Sequence, residues 1–237
     1  MKRIAIAFLA CVAAAACSSG TKTVERPAVE RGESLAGDPD FSSSSANYLA
    51  CNDCHSRTTD EGTRVYPGYP LENSAGRESW WGGYEPQYLG AVDFCVRKFM
   101  RGQALEAGQP KGDALYEYLA SISPETSSPA LPLTITKNIS LIAGGDAVAG
   151  EAIYDAACRH CHGSPSGSGR LHGSITPLDD DLWADYDVIF PGTDHRVVVA
   201  EKVRHGSFFG IGGVMPFFAE ERLSDEDLAS VMAYLGL

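Results

Sequence analysis

The chain has no apolar run long enough to span a membrane. The stretch from Ile4 to Ala16 is brief, well short of the roughly 20 residues that a membrane-crossing helix needs. Positive charge is scarce: 19 Lys and Arg stand against 31 Asp and Glu, a formal charge of −12. Such a surface repels nucleic acid and anionic lipid headgroups and steers towards a basic protein patch. The sequence also shows no paired carboxylates, no Ser-His-Asp order and no phosphate-cradling glycine loop. Acid–base hydrolysis and nucleotide chemistry therefore lack their usual residues.

What the chain does have is C-x-x-C-H, twice: Cys51-Asn52-Asp53-Cys54-His55 and Cys158-Arg159-His160-Cys161-His162. This is the attachment pattern of c-type haem. The two thiols add across the vinyl groups of one porphyrin, and the adjacent histidine supplies the proximal nitrogen to iron. Zinc uses the same ligand types but calls for a second ligand pair at comparable spacing, and none lies near either motif. Two covalent haems are expected, held by Cys51 and Cys54 and by Cys158 and Cys161, with His55 and His162 as proximal ligands.

The beginning reads as a secretory leader over 1–16: Lys2 and Arg3, a short apolar core and small residues at its close. The run Ala14-Ala15-Ala16-Cys17 resembles the lipobox of bacterial lipoproteins, with alanine at position 14 where leucine is usual. The resemblance implies lipidation of Cys17 and, with Ser18 after it, anchoring to the outer membrane of an exported, periplasmic protein. Of the seven cysteines, Cys11 leaves with the leader, Cys17 takes lipid and four hold haem. Cys95 remains as a lone thiol. Without Lys2 and Arg3 the formal charge becomes −14.

Residues 17–32 are polar and read as a flexible tether. Two similar units follow, over 33–124 and 144–237, joined by a linker or strap over 125–143. Each is expected to open with a short helix bearing an aromatic residue, Tyr48 or Tyr154, ahead of its haem motif. Each closes with an amphipathic helix. Leu115, Tyr118, Leu119 and Ile122 fall at i, i+3, i+4 and i+7, as do Leu228, Val231, Met232 and Leu235, the one-face spacing of a core helix. Ser224 and Asp227 form a capping-box-like pair. The motif histidines lie 107 residues apart, about one small domain.

This arrangement resembles the class I cytochrome c fold, twice, from about residue 32 to the end. The resemblance implies an all-α fold of two tandem cytochrome c-like domains, each a few helices around a covalent haem, with first and last helices crossing beside it. Units this small bury little apolar surface unaided, so the porphyrin is expected to complete each core.

The sixth ligand separates carrier from catalyst. In the second unit Gly212-Gly213-Val214-Met215-Pro216 lies just before the closing helix, with Met215 53 residues after His162. Class I cytochromes resemble this, which implies Met215 as the thioether ligand. Met232 sits on a core face. His160 and His205 are expected to be exposed or hydrogen-bonded; His172 and His195 carry no special pattern.

In the first unit the candidates are Met100 and Cys95, and both stay open. A separation of five residues is about 140° around a helix axis, so the two cannot face one iron on a continuous helix; Met100 reaches it if the helix ends near Arg101-Gly102. The run Cys95-x-Arg97-x-x-Met100-x-Gly102 resembles the first haem domain of dihaem thiosulfate dehydrogenases, which implies a cysteine thiolate on iron. Arg97, Lys98 and Arg101 would favour that thiolate and attract a small sulfur anion, or else one pairs with a haem propionate and the others are solvated.

The function that the sequence favours is electron carriage between redox partner proteins. The alternative is oxidation of thiosulfate or a similar sulfur anion, with Cys95 as the catalytic residue of the first haem. A dihaem peroxidase would need a longer chain.

Overall fold

The computed structural model describes residues 27–59, 62–106, 108–125, 127–209 and 214–237. The leader, Cys17 and residues 17–26 of the expected tether lie outside them, as do Gly212 and Gly213. Among the described residues the fold is helical and no strand forms; two isolated bridges join Arg77 to Ser128 and Trp80 to Glu85. No helix among them is long and apolar enough to cross a membrane.

The first half holds α1 (Ala28–Ala36), the motif helix α2 (Cys51–Cys54), α3 (Tyr88–Lys98) and α4 (Pro110–Ser121). The second holds α5 (Ala147–Ala157), the motif helix α6 (Arg159–His162), α7 (Asp180–Ile189), α8 (His195–Phe209) and α9 (Asp225–Tyr234). The dominant helix contacts are α1 with α4 and α5 with α9, first against last in each half. Both crossings are made at a glycine. A Cβ on Gly32 would run into the Ala114 carbonyl oxygen, and one on Gly150 into that of Ser230.

Two expectations need correction. The tether read over 17–32 gives way to helix at Ala28, so the opening helix of the first half begins inside it. Its low apolar content reflects a close crossing: buried Gly32 and Ala36 let two backbones touch where larger side chains would hold them apart. The stretch around Tyr48, expected to be helical, is irregular. The Tyr48 ring instead stacks on His172 of the other half, centroids 4.5 Å apart. Tyr154 does sit on the opening helix of its half; it is fully buried, and its hydroxyl donates to the Gly163 carbonyl at 2.9 Å, pinning the end of α6.

The closing helices bury the predicted faces, Leu115, Tyr118 and Leu119 on α4 and Leu228, Val231 and Met232 on α9. Ile122 and Leu235 fall at the caps. Ser224 Oγ accepts from the Asp227 amide at 3.0 Å while donating to the Asp227 carboxylate at 2.7 Å, which satisfies the first turn of α9.

The halves meet beside their haem motifs. The Val65 amide donates to the Ala156 carbonyl at 2.9 Å, Arg222 Nε donates to the Tyr66 carbonyl at 3.0 Å, and His160 Nε2 lies 2.7 Å from Asp53 Oδ1. The connecting segment runs as a strap fastened to both. The Tyr69 hydroxyl donates to the Pro132 carbonyl at 2.8 Å, and Thr134 donates to Glu221 through its amide at 3.0 Å and its hydroxyl at 2.6 Å. Ser128 is buried and bonded to Asn73 and Gly76.

Candidate haem sites

A cleft of about 1340 Å³, counted to its open mouth, occupies the first half. Cys51, Cys54 and His55 stand on one side; Cys95 and Met100 reach it from α3 and its end. The remaining walls are largely apolar and aromatic, with Leu115 and Leu119 of α4 and the rings of Trp80 and Trp81. This donor set and this lining fit a covalently held porphyrin: two thiols, an imidazole and further sulfur around one apolar cleft.

The proximal histidine is prepared for a metal by its second nitrogen. His55 Nδ1 lies 2.6 Å from the Tyr69 carbonyl oxygen, 14 residues on. A carbonyl only accepts, so Nδ1 carries the proton and Nε2 keeps its lone pair for iron. The second half repeats this: His162 Nδ1 lies 3.1 Å from the Thr176 carbonyl, again 14 residues on. Each acceptor precedes a proline, Pro70 and Pro177, which has no backbone N–H. Burial holds both imidazoles below the usual histidine value, His55 being further lowered by Arg77 and Arg222, so both stay neutral and able to ligate. A Cβ on Gly68 would collide with the His55 ring; glycine there lets the chain pass beneath it.

Burial pushes the attachment thiols up as well, Cys51 and Cys161 to about 11 and Cys158 to about 12. They are protonated thiols in an apolar setting until bonded.

On the distal side of the first cleft, Tyr88, Ala91, Val92 and Cys95 line the cavity at i, i+3, i+4 and i+7 of α3, so Cys95 lies on the stripe facing the expected iron. The helix ends at Lys98. The Met100 and Gly102 amides fold back to the Cys95 and Val96 carbonyls at 3.2 and 2.9 Å, and Arg101 takes a positive φ of 52°. Met100 thus leaves the helix and reaches the cavity wall.

The two sulfurs differ in accessibility. Every other residue assigned to haem contact (Cys51, Cys54, His55, Cys158, Cys161, His162 and Met215) is partly accessible, and so is Cys95. Met100 is 4% exposed and belongs to the packed cluster of Phe41, Val96 and Leu115. Both line the cavity; Cys95 is partly accessible, whereas Met100 lies almost wholly within that cluster.

The basic cluster faces away. Arg97 Nε pairs with Asp93 Oδ2 at 2.6 Å, its side chain nearly half exposed, and Lys98 and Arg101 are exposed. None of the three lines the cavity. Burial, then the nearby Cys51, push the Cys95 thiol up to about 12, so these side chains do not create a thiolate. A bound metal cation would be needed to do so.

In the second half, Met215 packs against the cluster of Ala200, Val203, Leu228 and Met232. Its position is set by α8. Ser207 donates its amide to the Met215 carbonyl at 2.8 Å, the Phe218 amide donates to Val203 at 2.7 Å, and Gly206 turns with φ +52° where a Cβ would strike the Met215 carbonyl. Arg204, the largest fully buried side chain, donates to the Phe218 and Leu223 carbonyls at 3.0 and 2.7 Å and pairs with Asp225 at 2.5 Å. His160 pairs with Asp53, and His205 lies 2.9 Å from Glu201 and 2.5 Å from the Thr136 carbonyl.

Sequence reasoning missed the carbonyl acceptors, Gly68 and Arg204. The first were legible as a duplicated spacing, each motif histidine followed 15 residues on by proline; a buried arginine has no such mark.

Two thiols, a neutral imidazole and distal sulfur define a c-type haem protein. Residues 145–235 match the family described as cytochrome c oxidase, cbb3-type, subunit III. Cytochrome c6 of Leptolyngbya boryana is 33% identical over 90 residues, covering 38% of this chain and 89% of that protein. The chain belongs to the cytochrome c family, which binds haem covalently and transfers electrons. Thiosulfate dehydrogenase of Allochromatium vinosum is 27% identical over 206 residues, 83% of this chain and 70% of that protein. Among solved structures, thiosulfate dehydrogenase (TsdBA) from Marichromatium purpuratum in its "as isolated" form matches with a TM-score of 0.41 and 19% identity, over 88% of this chain. This chain spans 45% of that chain's length.

Proposed function

We propose that this chain is an exported dihaem c-type cytochrome that oxidises thiosulfate or a similar small sulfur anion at its first centre and passes electrons through the second to a partner protein. The observation carrying this reading is the inequality of the two candidate sulfurs: Cys95 partly accessible on the cavity-facing stripe of α3, Met100 packed into the core. The sequence similarity to a thiosulfate dehydrogenase over most of the chain supports it.

Cys51 and Cys54 would hold the first haem, and Cys158 and Cys161 the second. His55 and His162 would offer Nε2 to iron, and Cys95 and Met215 would be the sulfur ligands of the first and second centres. When bound, these groups supply one-electron acceptors. Two thiosulfate dianions each lose one electron and join through a new S–S bond, giving tetrathionate; no proton is transferred, consistent with a cavity without an acid–base pair. Cys95 would be the replaceable ligand that makes room for the anion, while Met215, fixed by α8, would keep the second centre closed and raise its potential. The contact of α2 with α6 through Asp53 and His160 brings the two attachment motifs together for transfer between them. An acidic surface would suit an acceptor with a basic patch. Lipidation of Cys17 would keep the protein on the periplasmic face of the outer membrane.

Low-temperature electron paramagnetic resonance of the oxidised protein tests this. Expected are one thioether-type low-spin signal and one with the compressed g-spread of thiolate ligation, and haem reduction on adding thiosulfate. Two thioether-type signals and no reduction by thiosulfate would leave the second reading, a carrier with Met100 on the first iron, which the lining of the same cavity by Met100 favours.

A further inference from the structure

Part of the wall of the first cavity comes from outside the first half. Pro216 and Phe217, next to Met215, line it, and so do Leu131 and Leu133 of the strap. Phe217 is 5% exposed, and its ring centroid lies 6.1 Å from that of Trp81. Within one short loop, Met215 packs into the second core while Val214, Phe217 and Ala219 pack into the first. The same loop carries the fastening of the strap: Glu221 accepts from the Thr134 amide and hydroxyl, and Glu220 from the Thr136 hydroxyl at 2.8 Å. Leu133, adjoining Thr134, packs on Gly82, where a Cβ would lie 3.1 Å from the leucine Cβ.

We propose that segment 214–221 is the lid of the first cavity, and that Phe217 is the positioning residue that sets which small molecules reach Cys95. Three features carry this. The lid is apolar and aromatic where it meets the cavity, so it excludes water and bulk and leaves small solutes a narrow way in. It has little freedom, because Met215 and Phe218 are hydrogen-bonded to α8 on either side of Phe217. It holds the strap, so Phe217 and Leu133 move together. A single loop therefore holds the distal ligand of one centre and guards access to the other. This rests on the reading that each half holds a haem.

The test uses the full holoprotein and carbon monoxide as probe. Flash photolysis of the ferrous carbonyl form reads bimolecular recombination at the first iron. Phe217→Ala should raise that rate about tenfold, equivalent to about 1.4 kcal/mol off the access barrier, and Phe217→Leu should restore most of the wild-type rate. The thioether charge-transfer band of the second centre should not change. Glu221→Ala, an exposed change that releases the strap from the lid, should give a smaller rise and serves if the first variant folds poorly. Recombination unchanged in Phe217→Ala and Glu221→Ala overturns the lid. A pyridine haemochrome content of one haem per chain would instead overturn the two-haem reading.

Discussion

The two halves are alike on the proximal side and unlike on the distal side. Each places its motif histidine so that Nδ1 donates to a carbonyl 14 residues on, just before a proline. This half of a haem site is written in one short local stretch, so duplication reproduces it. The distal halves come from different structure: a helix facing a wide cavity in the first, a loop fixed by α8 in the second. The proximal arrangement is shared, and the surroundings of the candidate distal sulfurs are where the two halves differ.

The largest effect should come from removing what the halves share. Cys51→Ser with Cys54→Ser should halve the haem bound per chain by pyridine haemochrome assay and leave the first half poorly folded by circular dichroism, because the cavity walls would lose their filling. Cys158→Ser with Cys161→Ser should halve it too, from the other side. Loss of all pigment in either variant would mean that the sites do not load independently.

Next come the distal sulfurs. Met100→Ala should cost about 2 to 5 kcal/mol in denaturant unfolding, as a core truncation does, while the thiolate-type resonance persists. Cys95→Ala should cost less stability but abolish that resonance and thiosulfate-dependent reduction. The opposite pattern would make Met100 the ligand and return the first half to likeness with the second.

The second half should respond differently. Arg204→Ala leaves buried carbonyls of Phe218 and Leu223 without donors. We expect a loss of about 3 kcal/mol, the penalty for unpaired buried groups, together with a weakened thioether charge-transfer band as the Met215 loop slackens. First-centre resonances should shift little. Thermal melting and optical spectra of the same samples check both.

Some of this was readable beforehand. The haem motifs, the core faces of α4 and α9 and the α9 cap are local patterns, with period and spacing set by chain geometry. The start of α1 was not, because Gly32 and Ala36 earn their place by what they touch on α4, and a pattern of apolar residues does not reveal a surface chosen for smallness. Helix geometry left Cys95 and Met100 as alternatives, and both line the cavity, with the helix stopping at Lys98. What separates the two is accessibility, a tertiary quantity. The contact of Phe217 with the first cavity crosses the whole repeat and left no trace in either half alone.

A smaller effect concerns the strap between the halves. Both His205 nitrogens face acceptors, Glu201 and the Thr136 carbonyl. Burial lowers its pKa, but these two bonds outweigh that, and the net shift is upward from 6.5. A raised folded value means that the stability contributed is complete below 6.5 and is lost as pH rises through the folded value. The melting temperature should therefore fall as the pH is raised above 6.5, and the slope should flatten in His205→Gln. An unchanged slope would assign the dependence to other groups.

The smallest effect is the most pointed for the first centre. Arg97 lies next to the stretch that distinguishes the halves, two residues from Cys95, yet its guanidinium turns outward to Asp93 and stands nearly half in solvent. An exposed i,i+4 pair contributes only about 0.3 to 0.5 kcal/mol. Arg97→Ala should therefore lower stability by no more than that, and the g-values of the first centre should not move, because burial and metal charge set the state of the Cys95 sulfur. If the variant instead loses the thiolate-type signal at neutral pH, the basic cluster does act on the sulfur, and the division between a ligand-facing and a solvent-facing side of α3 fails.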